Sequence, residues 1–269
     1  LGSALDMSFL DFLWYQGKPG MFFMVELGAV LSACIVYFTF RKEKGAIQKT
    51  GKLTEVTDIV PTVLLVGTVA ALIVASLLPF EMPAETNGLI CTAMMVIGLI
   101  YNCARKKNLK AVIGPLKAID FQTLGLLVGL FLMIGGISHQ GVIDALARLL
   151  AKLGAGNPFL MYTIIVWASV LISAFIDNIP YVATMIPVIA GIAAQMGIDA
   201  TALYFGLLSG ATLGGNCTPI GASANITGIG ILRKEGHEVK NGDFFRIGIP
   251  FTLSAIIPAY ILIWILFGV

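Results

Sequence analysis

An all-α membrane protein is the fold class this 269-residue sequence predicts, and three observations predict it. Hydrophobic residues make up 58% of the chain and charged residues 12%, half the share of an ordinary soluble domain; mean hydropathy is +0.92. The apolar runs are continuous over about 20 residues, enough to cross roughly 30 Å of hydrocarbon as helices, and do not alternate with period two as barrel strands do. Basic residues gather between the runs: loops 41–58, 105–118 and 233–246 hold 14 of the 17 Lys and Arg.

The windows that satisfy the length requirement are 20–40, 59–79, 86–104 and 121–138. A pair, 158–176 and 181–196, follows, then 203–232 with an interruption, and finally 247–267. Lys and Arg accumulate on the cytoplasmic side. All three basic loops share that side only if 203–232 crosses once and the pair 158–196 leaves and returns on one side. The turn of that pair, "DNIP" at 177–180, carries no Lys or Arg, which favours a re-entrant hairpin with its tip inside the membrane. Before it, "GVIDALARLLAKLG" sets Asp144, Arg148 and Lys152 in one polar stripe against Val142, Leu146, Leu149 and Leu153. Such a helix lies flat at the interface.

Several function classes find no support in the residues. The cysteines (Cys34, Cys91, Cys103, Cys217) lack C-x-x-C spacing, so buried reduced thiols are expected in place of a disulfide framework or zinc site. No H-E-x-x-H, G-x-S-x-G or Walker A pattern is present, and there are two histidines, so neither an intramembrane hydrolase nor an ATP-driven pump is expected. A net charge of +2 gives no footprint for nucleic acid. No resident cofactor or metal is expected, and the lipid bilayer is the partner the composition demands.

A short repeat suggests more. "LDFLWYQGKPGMF" at 10–22 and "GDFFRIGIPF" at 242–251 each precede a span. Asp11-Phe12 matches Asp243-Phe244, Gly17 matches Gly248 and Pro19 matches Pro250, at an offset of 232 slipping to 231. The basic loops place the two copies on opposite sides, the signature of an inverted-topology transporter repeat. On this reading residues 1–58 are the tail of a first repeat and 59–269 a second. The first then lacks its front, on the order of 170 residues if the halves are alike. A missing N-terminal repeat, supplied by the rest of the protein, is the expected partner, and a homodimer is compatible with it.

Two interruptions carry the chemistry. From Lys152 to Asp199 the only formally charged residue is Asp177, beside Asn178 and Pro180. Intramembrane carboxylates are costly and usually functional. A cap for the helix that follows is the structural alternative, and the two roles can coexist. In "ALYFGLLSGATLGGNCTPIGASANITGIGILRK" the glycines and Pro219 predict an unwound stretch at 215–221. Freed carbonyls, with Asn216, Thr218, Ser223 and Asn225, offer hard oxygen ligands for an alkali cation, while half-helix ends can face an anion. Asp177, Asn178, Asn216, Thr218, Ser223 and Asn225 are the candidate ion- and substrate-binding residues. Glu26 and His139 read as interfacial.

"SAFIDNIPYVATMIPVI" and "GGNCTPIGASANI" resemble the paired motifs of the ion transporter superfamily, whose members include arsenite permeases, NhaD-type sodium/proton antiporters, the melanosomal P protein, citrate carriers and sodium/dicarboxylate symporters. The likeness is strongest to the arsenite-permease, NhaD and P-protein branch. It covers essentially the whole chain, in the order horizontal helix, hairpin, broken helix, last span. It implies a secondary active transporter of the plasma or inner membrane, present as its C-terminal half and coupled to sodium or protons. An organic-anion symporter and a non-transporting partner subunit are the alternatives. In the dicarboxylate symporters the hairpin tip carries Ser-Asn-Thr against sodium and the substrate carboxylate; Asp177, Asn178 and Ile179 stand there in this sequence. A carboxylate at that point repels an organic anion unless it is protonated or paired with a cation, which shifts the expectation toward cation or proton coupling.

Overall fold

The computed structural model describes residues 2–5, 7–43, 45, 58–78, 83, 85–117, 119, 121–154 and 156–268. Helices dominate: α1 (Gly2–Leu5), α2 (Met21–Phe40), α3 (Val60–Leu77), α4 (Thr86–Lys106), α5 (Ile113–Lys117), α6 (Phe121–His139), α7 (Val142–Leu153), α8 (Pro158–Ser173), α9 (Asn178–Met196), α10 (Thr201–Gly214), α11 (Ser223–Lys234) and α12 (Asn241–Phe267). The helices α2, α3, α4, α9 and α12 are each long and apolar enough to cross a bilayer, whereas α8 is shorter. The protein is thus an all-α membrane protein. Among the described residues the strands are the two-residue pair β1 (Trp14–Tyr15) and β2 (Lys18–Pro19), antiparallel with Trp14 opposite Pro19. Their turn, Gln16-Gly17, has φ of 51° and 73°, the left-handed values that tight hairpins use.

The chain forms two compact units, one of residues 13–44 and 127–269, the other of residues 2–12 and 45–126. In the second, α3 and α4 run antiparallel. Asp58, just before α3, accepts from the Val60 amide at 3.0 Å and the Tyr101 hydroxyl at 3.1 Å, and pairs with Arg105 at the far end of α4. Further along, Leu64 stands against Gly98 and Met94 against Gly67. No residue of either helix is buried within the chain, so both present their apolar sides outward. Most of the basic loop 41–58 lies outside the described residues.

The first unit holds the core. Gly206, Gly210 and Gly214 form a smooth stripe on α10, one residue per helical turn. Against it lie Tyr162 and Val166, then Val166 and Ser169, then Val170. Both series advance together, so α8 and α10 are parallel. A Cβ at Gly210 or Gly214 would stand 2.5 Å from a backbone oxygen of α8, which explains why only glycine serves there. α12 closes this core through the stacked Tyr162 and Tyr260 rings, 5.2 Å apart. On its other side α12 packs antiparallel on α2: Lys18 donates to the Leu266 carbonyl, Gly28 touches Ala255, and Ser32 donates to the Phe251 carbonyl at 3.0 Å.

The stretch Val128–His139 of α6 and the following α7 are bent by 76° at the break that holds Gly141. The polar stripe of α7 is as expected, with Val142, Leu146, Leu149 and Leu153 exposed on the chain's own surface. Docking uses a third, narrower face. Ile143 and Ala147 are buried, and Ala147 stands so close to Gly191 of α9 that a Cβ there would lie 2.9 Å away. Asp144 and Arg148 form no ion pair. The cysteines are free, but the expectation of burial fails: Cys34 and Cys91 are exposed, Cys103 and Cys217 half-exposed. An apolar neighbourhood in a membrane sequence signals contact with lipid as readily as contact with protein, and composition alone does not separate the two.

Candidate functional site

The segment 158–196 folds as two helices joined by a four-residue turn, 174–177. The turn has a defined cause: Asp177 is extended, with ψ of 138°, and its Oδ1 accepts from the Ile179 amide at 3.3 Å, capping α9. The helix therefore begins at Asn178, with Pro180 inside the first turn, where a proline's missing N–H costs nothing. Behind the turn, the Ser169 and Tyr181 hydroxyls are 3.0 Å apart and tie the two arms together.

The interrupted span breaks later than the sequence suggests. Gly214 ends α10, 215–217 continue as a single 3₁₀ turn, and only 218–222 leave helical structure before α11. Gly214 serves close packing on α8, so its presence there does not mark the unwinding; the break falls at Thr218-Pro219, where the proline forces extended backbone on its predecessor.

Turn and break meet. Thr218 Oγ1 donates to the Ala174 carbonyl, both residues being buried. Gly221 lies so near that a Cβ would come within 2.6 Å of the Gly215 oxygen and 2.7 Å of the Ala174 oxygen. Asn225 Nδ2 donates to the Gly215 carbonyl at 2.9 Å and the Thr218 carbonyl at 3.0 Å, closing the two ends of the break on each other. Ser223 Oγ, the first residue of α11, donates to Asp177 Oδ2 at 2.8 Å. Asp177 thus stands at the N-termini of α9 and α11 together, where two partial positive charges face one carboxylate.

These contacts divide the six candidate residues. Thr218 and Asn225 hold the break in shape, and the Gly215 and Thr218 carbonyls each accept one hydrogen bond from Asn225. Asp177 and Ser223 pair across the two elements. Asn178 and Asn216 are half-buried, and their side chains make no hydrogen bond to another described residue. Among the described residues no cluster of His, Cys, Asp and Glu could hold a metal ion. Glu26 is exposed on α2 and His139 is exposed as the last residue of α6. Sequence reasoning passed over the stripe Gly206, Gly210 and Gly214, legible as G-x-x-x-G-x-x-x-G, and Ser173, which donates to the Ala211 carbonyl between α8 and α10.

The site thus brings together a short helical arm, a break between two helices and a carboxylate shared between them. The family model described as citrate transporter matches residues 1–210 and 89–269, and the chain belongs to that family. Among curated relatives, an uncharacterized transporter of Mycobacterium bovis is 40% identical over 152 residues, 56% of this chain and 35% of its own. An uncharacterized transporter of Synechocystis sp. is 27% identical over 298 aligned residues, 99% of this chain and 63% of its own. The human P protein is 37% identical over 142 residues, 50% of this chain and 17% of its own. The chain therefore spans about a third of the mycobacterial relative's length. No solved structure matches.

Proposed function

We propose that this chain carries one half of the transport site of a secondary active transporter, with Asp177 as the coupling group. The observation that carries the reading is the 2.8 Å hydrogen bond from Ser223 to Asp177, joining the hairpin tip to the broken helix. Two half-helix ends favour a negative charge at that point, and here the protein supplies the charge itself. In the coupling role Asp177 holds a proton in one state and an alkali ion in the other. Asn178 and Asn216 are the side chains free to complete an oxygen shell, and both elements move together in alternating access.

The inverted-repeat reading gains support from burial. Met21, Met24, Gly28 and Ser32 are the buried residues of α2. At the offset of 231 they fall on Thr252, Ala255, Ala259 and Ile263, all buried in α12. The two helices are antiparallel, as copies related by a two-fold axis in the membrane plane would be.

The cargo has two candidates. Cation or proton exchange of the NhaD type follows from Asp177, whereas the family's description favours an organic anion such as citrate. In the second case a proton or cation must stand between Asp177 and the substrate. The deciding experiment is flux in vesicles containing the full-length protein and its Asp177→Asn variant. Loss of pH or sodium dependence with the fold intact supports the coupling role; unchanged flux and ion dependence reduce Asp177 to a helix cap.

A further inference from the structure

At the opposite end of α10 from the break, about 20 Å away by the helical rise, a cavity lies in the same unit. It encloses about 340 Å³ and is lined by Lys18, Asp199, Thr201, Ala202, Leu203 and Trp264, among others. Thr201 is only 3% exposed and is one of the residues lining the cavity, and its hydroxyl has no hydrogen-bond partner among the described residues. The hydroxyl is not sealed off: among the described residues the fully buried polar atom without a partner is Thr252 Oγ1, so Thr201 Oγ1 is open to a partner. The amides of Ala202 and Leu203, in the first turn of α10, have no acceptor within the helix. The Thr201 amide is already taken by Asp199 at 2.7 Å.

Lys18 completes the set. Its ammonium donates one proton to the Leu266 carbonyl and lies 5.5 Å from the centre of the Phe267 ring, which leaves two protons for the cavity. Hydroxyl, amides and ammonium are all donors, and they come from two elements, α10 and β2. The one opposing group is the Asp199 carboxylate, which is exposed at the rim and half occupied as a cap.

From this arrangement we infer that the cavity is a binding site for a phosphate-class oxyanion, separate from the Asp177 centre. The anion's oxygens accept from Thr201 Oγ1 and the α10 amides, and Lys18 balances its charge. Two sources share that chemistry: a soluble phosphate, or the headgroup of an anionic lipid. Trp264 and Phe267 also line the cavity, aromatic residues of the kind found at headgroup level.

The test uses the full-length protein in a phosphate-free maltoside detergent, titrated with inorganic phosphate in one series and short-chain phosphatidylglycerol in another, with Tm as the readout. The site predicts a saturable rise in Tm. Lys18→Gln weakens the apparent affinity at least tenfold and Thr201→Val several-fold, while Asp199→Asn keeps the cap, removes the repelling charge and tightens binding. Response to inorganic phosphate identifies a soluble anion; response to the lipid alone identifies a headgroup. If Lys18→Gln loses its fold with the end of α12, the other two variants carry the test. Absence of any response in the wild type, or a response that Thr201→Val and Asp199→Asn leave unchanged, overturns the inference.

Discussion

Gly210 of α10 lies against Val166 of α8 so tightly that a Cβ on the glycine would stand 2.5 Å from the valine's carbonyl oxygen. No rotamer relieves a clash between a Cβ and backbone, so the helices would have to separate. Gly210→Ala is expected to destabilise the protein by about 1–3 kcal/mol, the scale of overpacking in a tight core. Gly228→Ala, where a Cβ meets nothing within 4 Å, is the control. Equal thermal stability of the two variants in detergent would show that α8 and α10 do not pack in this register.

The break has its own stitch. Asn225→Ala removes both donors from the Gly215 and Thr218 carbonyls and leaves them seeking other partners. Interhelical hydrogen bonds in membranes average about 0.6 kcal/mol, so stability falls modestly. The larger expected effect is on transport, because the loop that presents Asn216 and Ser223 loosens. A Tm loss with fully normal flux would limit Asn225 to a folding role.

The antiparallel packing of α2 and α12 can be read chemically. A Cβ on Gly28 would lie 3.3 Å from the Ala255 Cβ, a few tenths of an ångström inside the disulfide range of about 3.5–4.5 Å. With the four native cysteines replaced, Gly28→Cys/Ala255→Cys is expected to cross-link on mild oxidation, detected by mobility shift after cleavage of the 41–58 loop. Failure to cross-link, with the protein folded, would contradict the pairing.

Thr252 supplies a prediction of opposite sign. Its hydroxyl is fully buried in α12 with no hydrogen-bond partner among the described residues. Thr252→Val keeps the shape and removes the unpaired group, so stability is expected to hold or rise by up to about 1 kcal/mol. A clear fall in Tm would mean that the hydroxyl has a partner in the complete protein.

The hairpin orientation remains an expectation of the basic loops. A single cysteine at position 178 is expected to resist an impermeant thiol reagent applied from the cytoplasm. Ready reaction from that side would make 158–196 two ordinary crossings.

Much of this molecule was legible in one dimension. Continuous apolar runs fix where helices lie, since an unpaired backbone in hydrocarbon is too costly for any alternative, and the five span-length helices fall on the windows read from sequence. Asp before a Pro-led apolar run announces a capped helix start, and Thr-Pro announces a break. These signals are local, so the sequence carries them by itself. Which groups meet is a different matter. That Asp177 takes its hydrogen bond from Ser223, that Asn225 donates to the carbonyls expected to be free, and that α7 docks by Ile143 and Ala147, all depend on the register between helices distant in sequence. That register is set by whether small residues let two backbones approach, as Gly206, Gly210 and Gly214 do for α8 and α10. Lipid is as apolar as leucine, so hydropathy places a helix in the membrane, and only close packing decides its neighbour.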